Sequence, residues 1–249
     1  MDWSPLENVN GFCSKVANIL AIASEDAYCR NGREEIEDKW DCPVDLIDHK
    51  GTQAIVIHGP SLIIAFRGTE PGEIKDWIAD LNVRKTEIEG GSYIHEGFLS
   101  SYRLVAAQII NICKENSNKD IFLTGHSLGG ALANVAMWDL ETHRGLRIKR
   151  SYTFGSPRVF GRKSSRRVRN KLNGRQFRVV NRNDIVPRLP SLLRFQHTGA
   201  VAYINRHDKI QINPSFLYMT VDRILGYRAN IIRSHFMEYY IQGTSEDDE

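Results

Sequence analysis

The passage from residue 121 to residue 140 constrains this chain more than any other. The apolar run Ile121-Phe122-Leu123 leads through Thr124-Gly125-His126-Ser127-Leu128-Gly129-Gly130 into a stretch where Leu128, Ala131, Leu132, Val135, Ala136 and Leu140 share one helical stripe. A short apolar run followed at once by this spacing reads as a strand, a sharp turn and a helix. Glycines on both sides of Ser127 let strand and helix pack closely, and the turn strains the serine backbone so that its hydroxyl projects above the sheet. The Leu128 N–H sits at the helix N-terminus, aimed at any negative charge that develops there.

The neighbouring sequence supplies the layers that such a turn requires. Residues 5–28 place Leu6, Val9, Phe12, Val16, Ile19, Leu20 and Ala23 at helical spacing, and residues 54–57 and 62–66 read as a hairpin around His58-Gly59-Pro60-Ser61. Beyond residue 98 the pattern alternates: helix at 98–113, strand at 121–123, helix at 127–140, strand at 151–154, helix at 162–172 and strand at 177–180. Strands alternating with helices imply βαβ units, so the fold class is α/β, with a mostly parallel sheet covered on both faces.

Composition excludes several alternatives. At 249 residues, with 41% hydrophobic and 25% charged side chains, the chain is expected to form a single globular domain (1–249) with a sizeable core. No apolar run approaches the roughly 18 residues of a membrane span. A net charge of +3 does not point to nucleic acid. Its two concentrations, the basic residues of 162–171 and the acidic residues of 246–249, read as a solvated helix face and the end of a disordered tail over 244–249. Cys13, Cys29, Cys42 and Cys113 lack the spacing of a zinc site or a disulfide scaffold. With no signal-peptide pattern at the N-terminus, an intracellular, cytoplasmic setting is favoured over a secreted protein whose signal was removed.

A serine hydroxyl needs a base, and the base needs a carboxylate to orient it; with this type of turn the chain order is serine, acid, histidine. The acid is expected just beyond a later strand, where Asp184 follows Phe177-Arg178-Val179-Val180-Asn181-Arg182-Asn183. Downstream lie His197, His207 and His235. His207 sits in the polar run 205–209 and reads as a surface turn; His197 is a second choice, and His235, at the entry to the last element, is the first. A rival phosphate loop at 155–164 fails on spacing, with five residues between Gly155 and Gly161 where four are needed and Arg162 inserted before Lys163.

Several further motifs agree in order and spacing with one family: Phe66-Arg67-Gly68-Thr69, Trp77-Ile78-Ala79-Asp80, His95-Glu96-Gly97-Phe98, the GHSLGG of 125–130, Thr153-Phe154-Gly155-Ser156-Pro157-Arg158-Val159, and Asn183-Asp184-Ile185-Val186-Pro187-Arg188-Leu189-Pro190. Across residues 50–241 the chain resembles the class 3 lipases, the fungal-type triacylglycerol lipases and their relatives. The resemblance implies an α/β-hydrolase fold and a triad of Ser127 as nucleophile, Asp184 as acid and His235 as base. It leaves His197 as a non-catalytic neighbour. It also implies that Thr69, through its N–H and hydroxyl, completes an oxyanion hole with the Leu128 N–H.

The resemblance further implies a short helical lid at about 70–85, with Ile74, Trp77, Ile78 and Leu81 on its apolar face and hinges at Glu70-Pro71-Gly72 and Gly90-Gly91. Asp80 is the residue that such a lid brings to the Thr69 hydroxyl when open. The implied reaction is hydrolysis of a lipid or small ester at an oil–water or membrane interface through an acyl-enzyme on Ser127, with no metal or organic cofactor. Phospholipase A1, galactolipase and short-chain esterase share the same triad, and a non-catalytic lipase-like binding protein is the remaining alternative. Because neutral imidazole is the working base, activity is expected to fall below about pH 6. Chain-length preference and oligomeric state have no signature in the sequence.

Overall fold

The computed structural model describes residues 1–7, 9–29, 32–81, 84–172, 174–226 and 232–245. Strands β1 (Val44–His49), β2 (Thr52–His58) and β3 (Leu62–Phe66) form an antiparallel meander, and β4 (Lys85–Ile88) and β5 (Ser92–His95) form a separate ribbon. Strands β6 (Ile121–His126), β7 (Arg150–Phe154), β8 (Gln176–Asn181) and β9 (Ala200–Ile204) continue from β3 in parallel, and β10 (Ile210–Ile212) closes the edge antiparallel to β9.

Helices α1 (Ser4–Glu7), α2 (Ser14–Asp26) and α3 (Arg33–Trp40) precede the sheet, and α4 (Ile74–Asp80) and α5 (Glu96–Glu115) follow β3 and β5. Helices α6 (Leu128–His143), α7 (Arg162–Leu172), α8 (Phe216–Leu225) and α9 (Met237–Ser245) complete the chain.

The two faces of the sheet explain its apolar runs. In β3, Leu62, Ile64 and Phe66 pack with α5 and α6, while Ile63 and Ala65 pack with α2 on the opposite face. Alternate residues thus enter different cores, and each fully buried Ile, Leu or Phe stabilises the fold by about 1.5–3 kcal/mol. Helix α6 is buried well beyond its sequence stripe, with Ala133, Asn134, Met137 and Asp139 also covered, because α5 and α7 pack where a surface helix would meet water.

Three expectations need correction. The single helix over 5–28 is two, α1 and α2, separated by a segment in which Gly11 turns the chain at φ +77°. Gly90 and Gly91 are not lid hinges: both lie in the turn between β4 and β5, where Arg167 Nη1 donates to Glu89 O at 2.9 Å and Ser92 Oγ at 3.1 Å. Residues 244 and 245 end α9 instead of beginning a disordered tail; Thr244 is buried and accepts from Asn18 Nδ2 at 3.2 Å. Residues 246–249 lie outside the described residues.

Candidate active site

The turn after β6 has the strain its sequence requires. Ser127 sits at φ 55°, ψ −124°, a conformation that L-residues avoid, with its N–H donating to Phe154 O at 2.9 Å. Close packing demands the glycine two residues on, since a Cβ at Gly129 would lie 2.0 Å from Phe66 O. Ser127 is fully buried and its Oγ is engaged by no other polar group.

Asp184 stands three residues beyond the end of β8, fully buried. One carboxylate oxygen, Oδ2, accepts from His235 Nδ1 at 2.7 Å and from Tyr240 Oη; the other, Oδ1, accepts from the Val186 N–H at 2.9 Å. Burial and the adjacent carboxylate drive the Tyr240 phenol far above its ordinary pKa, so it stays a donor. Because Asp184 can only accept, His235 carries its proton on Nδ1 and leaves the Nε2 lone pair free to take another. His235 Nε2 is likewise buried without a partner. Ser127 Oγ and His235 Nε2 are not hydrogen-bonded to each other here; such contacts tighten when substrate binds.

His126 holds His235 from behind. Its Nε2–H donates to the backbone carbonyl of His235 at 2.6 Å, its Nδ1 accepts from Tyr28 Oη at 2.8 Å, and the two imidazoles lie against each other, tilted by 34°, with centroids 4.4 Å apart. Burial, with the His235 charge as a second cause, puts the His126 pKa well below 6.5, so it stays neutral. Gly155 makes room for Asp184 and His235. At φ +58° it faces them so closely that a Cβ would lie 2.8 Å from both Asp184 Oδ2 and His235 Nδ1.

Register brings Thr69 to the same end of the sheet. Phe66 of β3 pairs with Gly125 of β6, so Thr69 and Ser127 leave adjacent parallel strands together. Thr69 Oγ1 is buried without a partner, so the contact with Asp80 is not made in this structure. Leu128 opens α6, as its place in the motif requires. In α4, Ile74 is buried, Trp77 packs against the core between the sheet and α5 together with Leu81 just past the helix end, and Ile78 is half-buried. The helical part of the expected lid is therefore 74–80 alone; residues 82 and 83 lie outside the described residues, and β4 begins at 85.

The other histidines fall elsewhere. His197 donates from Nε2 to Pro187 O at 2.7 Å, and burial together with Arg178 puts its pKa well below 6.5. His207 lies in a surface turn and accepts from Arg206 Nε. The basic side chains of α7 face outward, with Ser164, Ser165, Val168 and Leu172 turned inward. Tyr28, Tyr240 and the role of His126 were not legible in the sequence, although His126 and Gly155 both stood inside recognised motifs. Among the described residues no three His, Cys, Asp or Glu side chains gather as metal ligands, and the four cysteines are unpaired.

A mostly parallel sheet with helices on both faces, carrying a strained serine after its central strand, is the α/β-hydrolase fold. A sequence model of the family described as lipase (class 3) matches residues 63–193, more than half of the chain. The chain belongs to the class 3 lipase family. It is 29% identical over 228 residues to triacylglycerol lipase OBL1 of Arabidopsis thaliana, covering 71% of this chain and 44% of the relative. It is 30% identical over 177 residues to the secreted mono- and diacylglycerol lipase A of Penicillium cyclopium, covering 68% and 56%. The chain thus spans about half the length of these two relatives. The solved triacylglyceride lipase of Rhizomucor miehei superposes with a TM-score of 0.62 at 29% identity, covering 79% of this chain and 83% of that one.

Proposed function

We propose that this chain is a serine hydrolase that cleaves carboxylic ester bonds of acylglycerol-type lipids. His235 Nε2 removes the Ser127 proton as Oγ attacks the ester carbonyl, and the Leu128 and Thr69 donors stabilise the tetrahedral oxyanion. Protonated His235 returns the proton to the leaving alcohol, and water repeats the sequence on the acyl-enzyme. The observation that carries this reading is the buried Asp184–His235 hydrogen bond, which fixes the imidazole tautomer with its basic nitrogen free. Relatives named as triacylglycerol and as mono- and diacylglycerol lipases support acylglycerols as the substrate class.

In the same reading α4 is the lid: Trp77 and Leu81 are the face it would turn from protein to lipid. The test is hydrolysis of p-nitrophenyl butyrate, triglycerides and phospholipids by the wild type and Ser127→Ala. The substitution is expected to lower turnover by about 10⁶-fold. Equal rates for the two proteins overturn the proposal, and a preference for phospholipids reassigns the substrate.

A further inference from the structure

A cleft of about 620 Å³ opens between the loop that follows Asp184 and helix α8. Arg158, Arg178, Arg188 and Arg223 line it, and no carboxylate does among the described residues. Arg178 projects from β8 with its Nε buried and without a partner, and the Arg158 Nε is buried in the same condition. Burial, then the charges of Arg158, Arg223 and Arg169, push the Arg178 pKa down to about 10.

The contacts these guanidinium groups do make are to neutral atoms. Arg158 Nη1 donates to the carbonyls of Arg188 and Pro190, and Arg223 donates from Nε to Arg182 O at 3.0 Å and lies over the Tyr203 ring. The adjacent carboxylate, Asp222, accepts instead from Tyr203 Oη at 2.9 Å and from the Arg206 N–H. Neutral His197 adds no charge and no counter-charge. Asp222 nearby offsets part of the charge at Arg223. The remaining guanidinium groups, with no carboxylate in the described lining of the cleft, are costly to gather unless a ligand brings an anion, and the guanidinium fork suits phosphate and carboxylate above other groups.

The wall of the cleft identifies the rest of the ligand. Phe216 and Ile224 of α8 line it and are 77% and 68% exposed, with Leu192 opposite at 60%. Outside the cleft, Leu217 and Leu225 of the same helix and Leu193 beside Leu192 are 71%, 62% and 96% exposed. One acyl chain lying in the cleft would cover the first three residues and leave the others in water. A bilayer surface covers all six and presents phosphate at the depth of the arginines.

We propose that this cleft receives the phosphate of an anionic phospholipid while α8 and the Leu192–Leu193 turn seat among the acyl chains, docking the protein on acidic bilayers through this face. The bound lipid is an anchor and not the ester that is cleaved, so the inference goes beyond the hydrolase reading and stands or falls without it.

The experiment is co-sedimentation of the Ser127→Ala protein with vesicles of phosphatidylcholine alone and of phosphatidylcholine mixed with phosphatidylglycerol. Binding to the mixed vesicles is expected to exceed binding to neutral ones by about tenfold at low salt and to weaken as salt rises. Arg178→Gln and, as a surface substitution that keeps the fold, Arg188→Gln are each expected to lower that preference. Phe216→Ser/Ile224→Ser is expected to lower binding to both vesicles and, in a chain retaining Ser127, to leave p-nitrophenyl butyrate hydrolysis within about twofold of wild type. Equal binding to the two vesicle types overturns the proposal. So does a preference that survives Arg188→Gln and disappears on neutralising Arg166 and Arg169 of α7, or stoichiometric oleate binding in the cleft without any vesicle preference.

Discussion

Replacing Asp184 by Asn keeps the side chain's shape and changes which atoms it can donate from. Three donors converge on the wild-type carboxylate, the Val186 N–H on Oδ1 and both His235 Nδ1 and Tyr240 Oη on Oδ2. The amide nitrogen must take one of the two oxygen positions. At Oδ1 it confronts a backbone N–H that cannot change its role, leaving a buried donor stranded at a cost of about 1–3 kcal/mol. At Oδ2 both neighbours can adapt: Tyr240 rotates its hydroxyl, and His235 moves its proton from Nδ1 to Nε2.

At about 1.4 kcal/mol per decade, the second arrangement is favoured by roughly five- to hundredfold. It removes the lone pair that, on the proposed mechanism, accepts the Ser127 proton. Asp184→Asn is therefore expected to lower kcat by about 10⁴-fold, the scale associated with a wrong imidazole tautomer in serine hydrolases, while the melting temperature changes little. The assay is steady-state hydrolysis of p-nitrophenyl butyrate at pH 8 beside a thermal melt. A variant that folds and keeps more than a tenth of wild-type kcat refutes the tautomer argument, because it shows the amide nitrogen resting at the Val186 position.

Other consequences can be checked independently. Gly155→Ala forces a Cβ to within 2.8 Å of Asp184 and His235 at φ +58°, so kcat is expected to drop by about 10²-fold; activity within threefold of wild type would show that the pair has room to retreat. His126 and His197 have folded pKa values depressed by burial, so the unfolded chain binds more protons below about pH 6.5 and stability present above that pH is lost on acidification. The loss approaches about 1.4 kcal/mol per pH unit for each histidine, and urea melts at pH 7.5 and 5.5 that give the same unfolding free energy would contradict it. If α4 is a lid, triglyceride hydrolysis should jump once droplets form, whereas a rate that rises smoothly through that concentration would make α4 a fixed helix.

What was legible in the sequence was what local pattern determines. The β3 and β6 runs, the glycines around Ser127 and helix α7 over 162–172 carry their structure in consecutive residues, and the structure places each where it was expected. The aspartate after β8 was found because a strand end is a local feature. His235 could be ranked but not assigned from position alone, since its partner lies 51 residues away on another element. Tyr28 and Tyr240 had no signature, because each meets the site through folding and neither belongs to a repeating pattern. The N-terminal helix was drawn too long because helical spacing continued across Gly11, where one positive φ ends the register. Helix α8 was not foreseen; ten residues bearing seven large apolar side chains look like core, and the structure puts most of them in solvent.

The contacts that hold His235 reach beyond the part of this chain by which its family is recognised. The family match spans 63–193, which contains Thr69, Ser127 and Asp184. His235 lies after it, and Tyr28, which braces His126 against the His235 carbonyl, lies before it. Helices α2 and α9 join the two flanks, with Asn18 Nδ2 donating to Ile241 O at 3.0 Å. A fragment trimmed to the matched region would keep Ser127, Asp184 and His126 and lose both His235 and Tyr28, the residue that holds His126 in place. On the proposed mechanism the smallest working unit is thus longer than the segment by which the family is detected, and substitutions in α2 are expected to alter turnover without touching Ser127, Asp184 or His235.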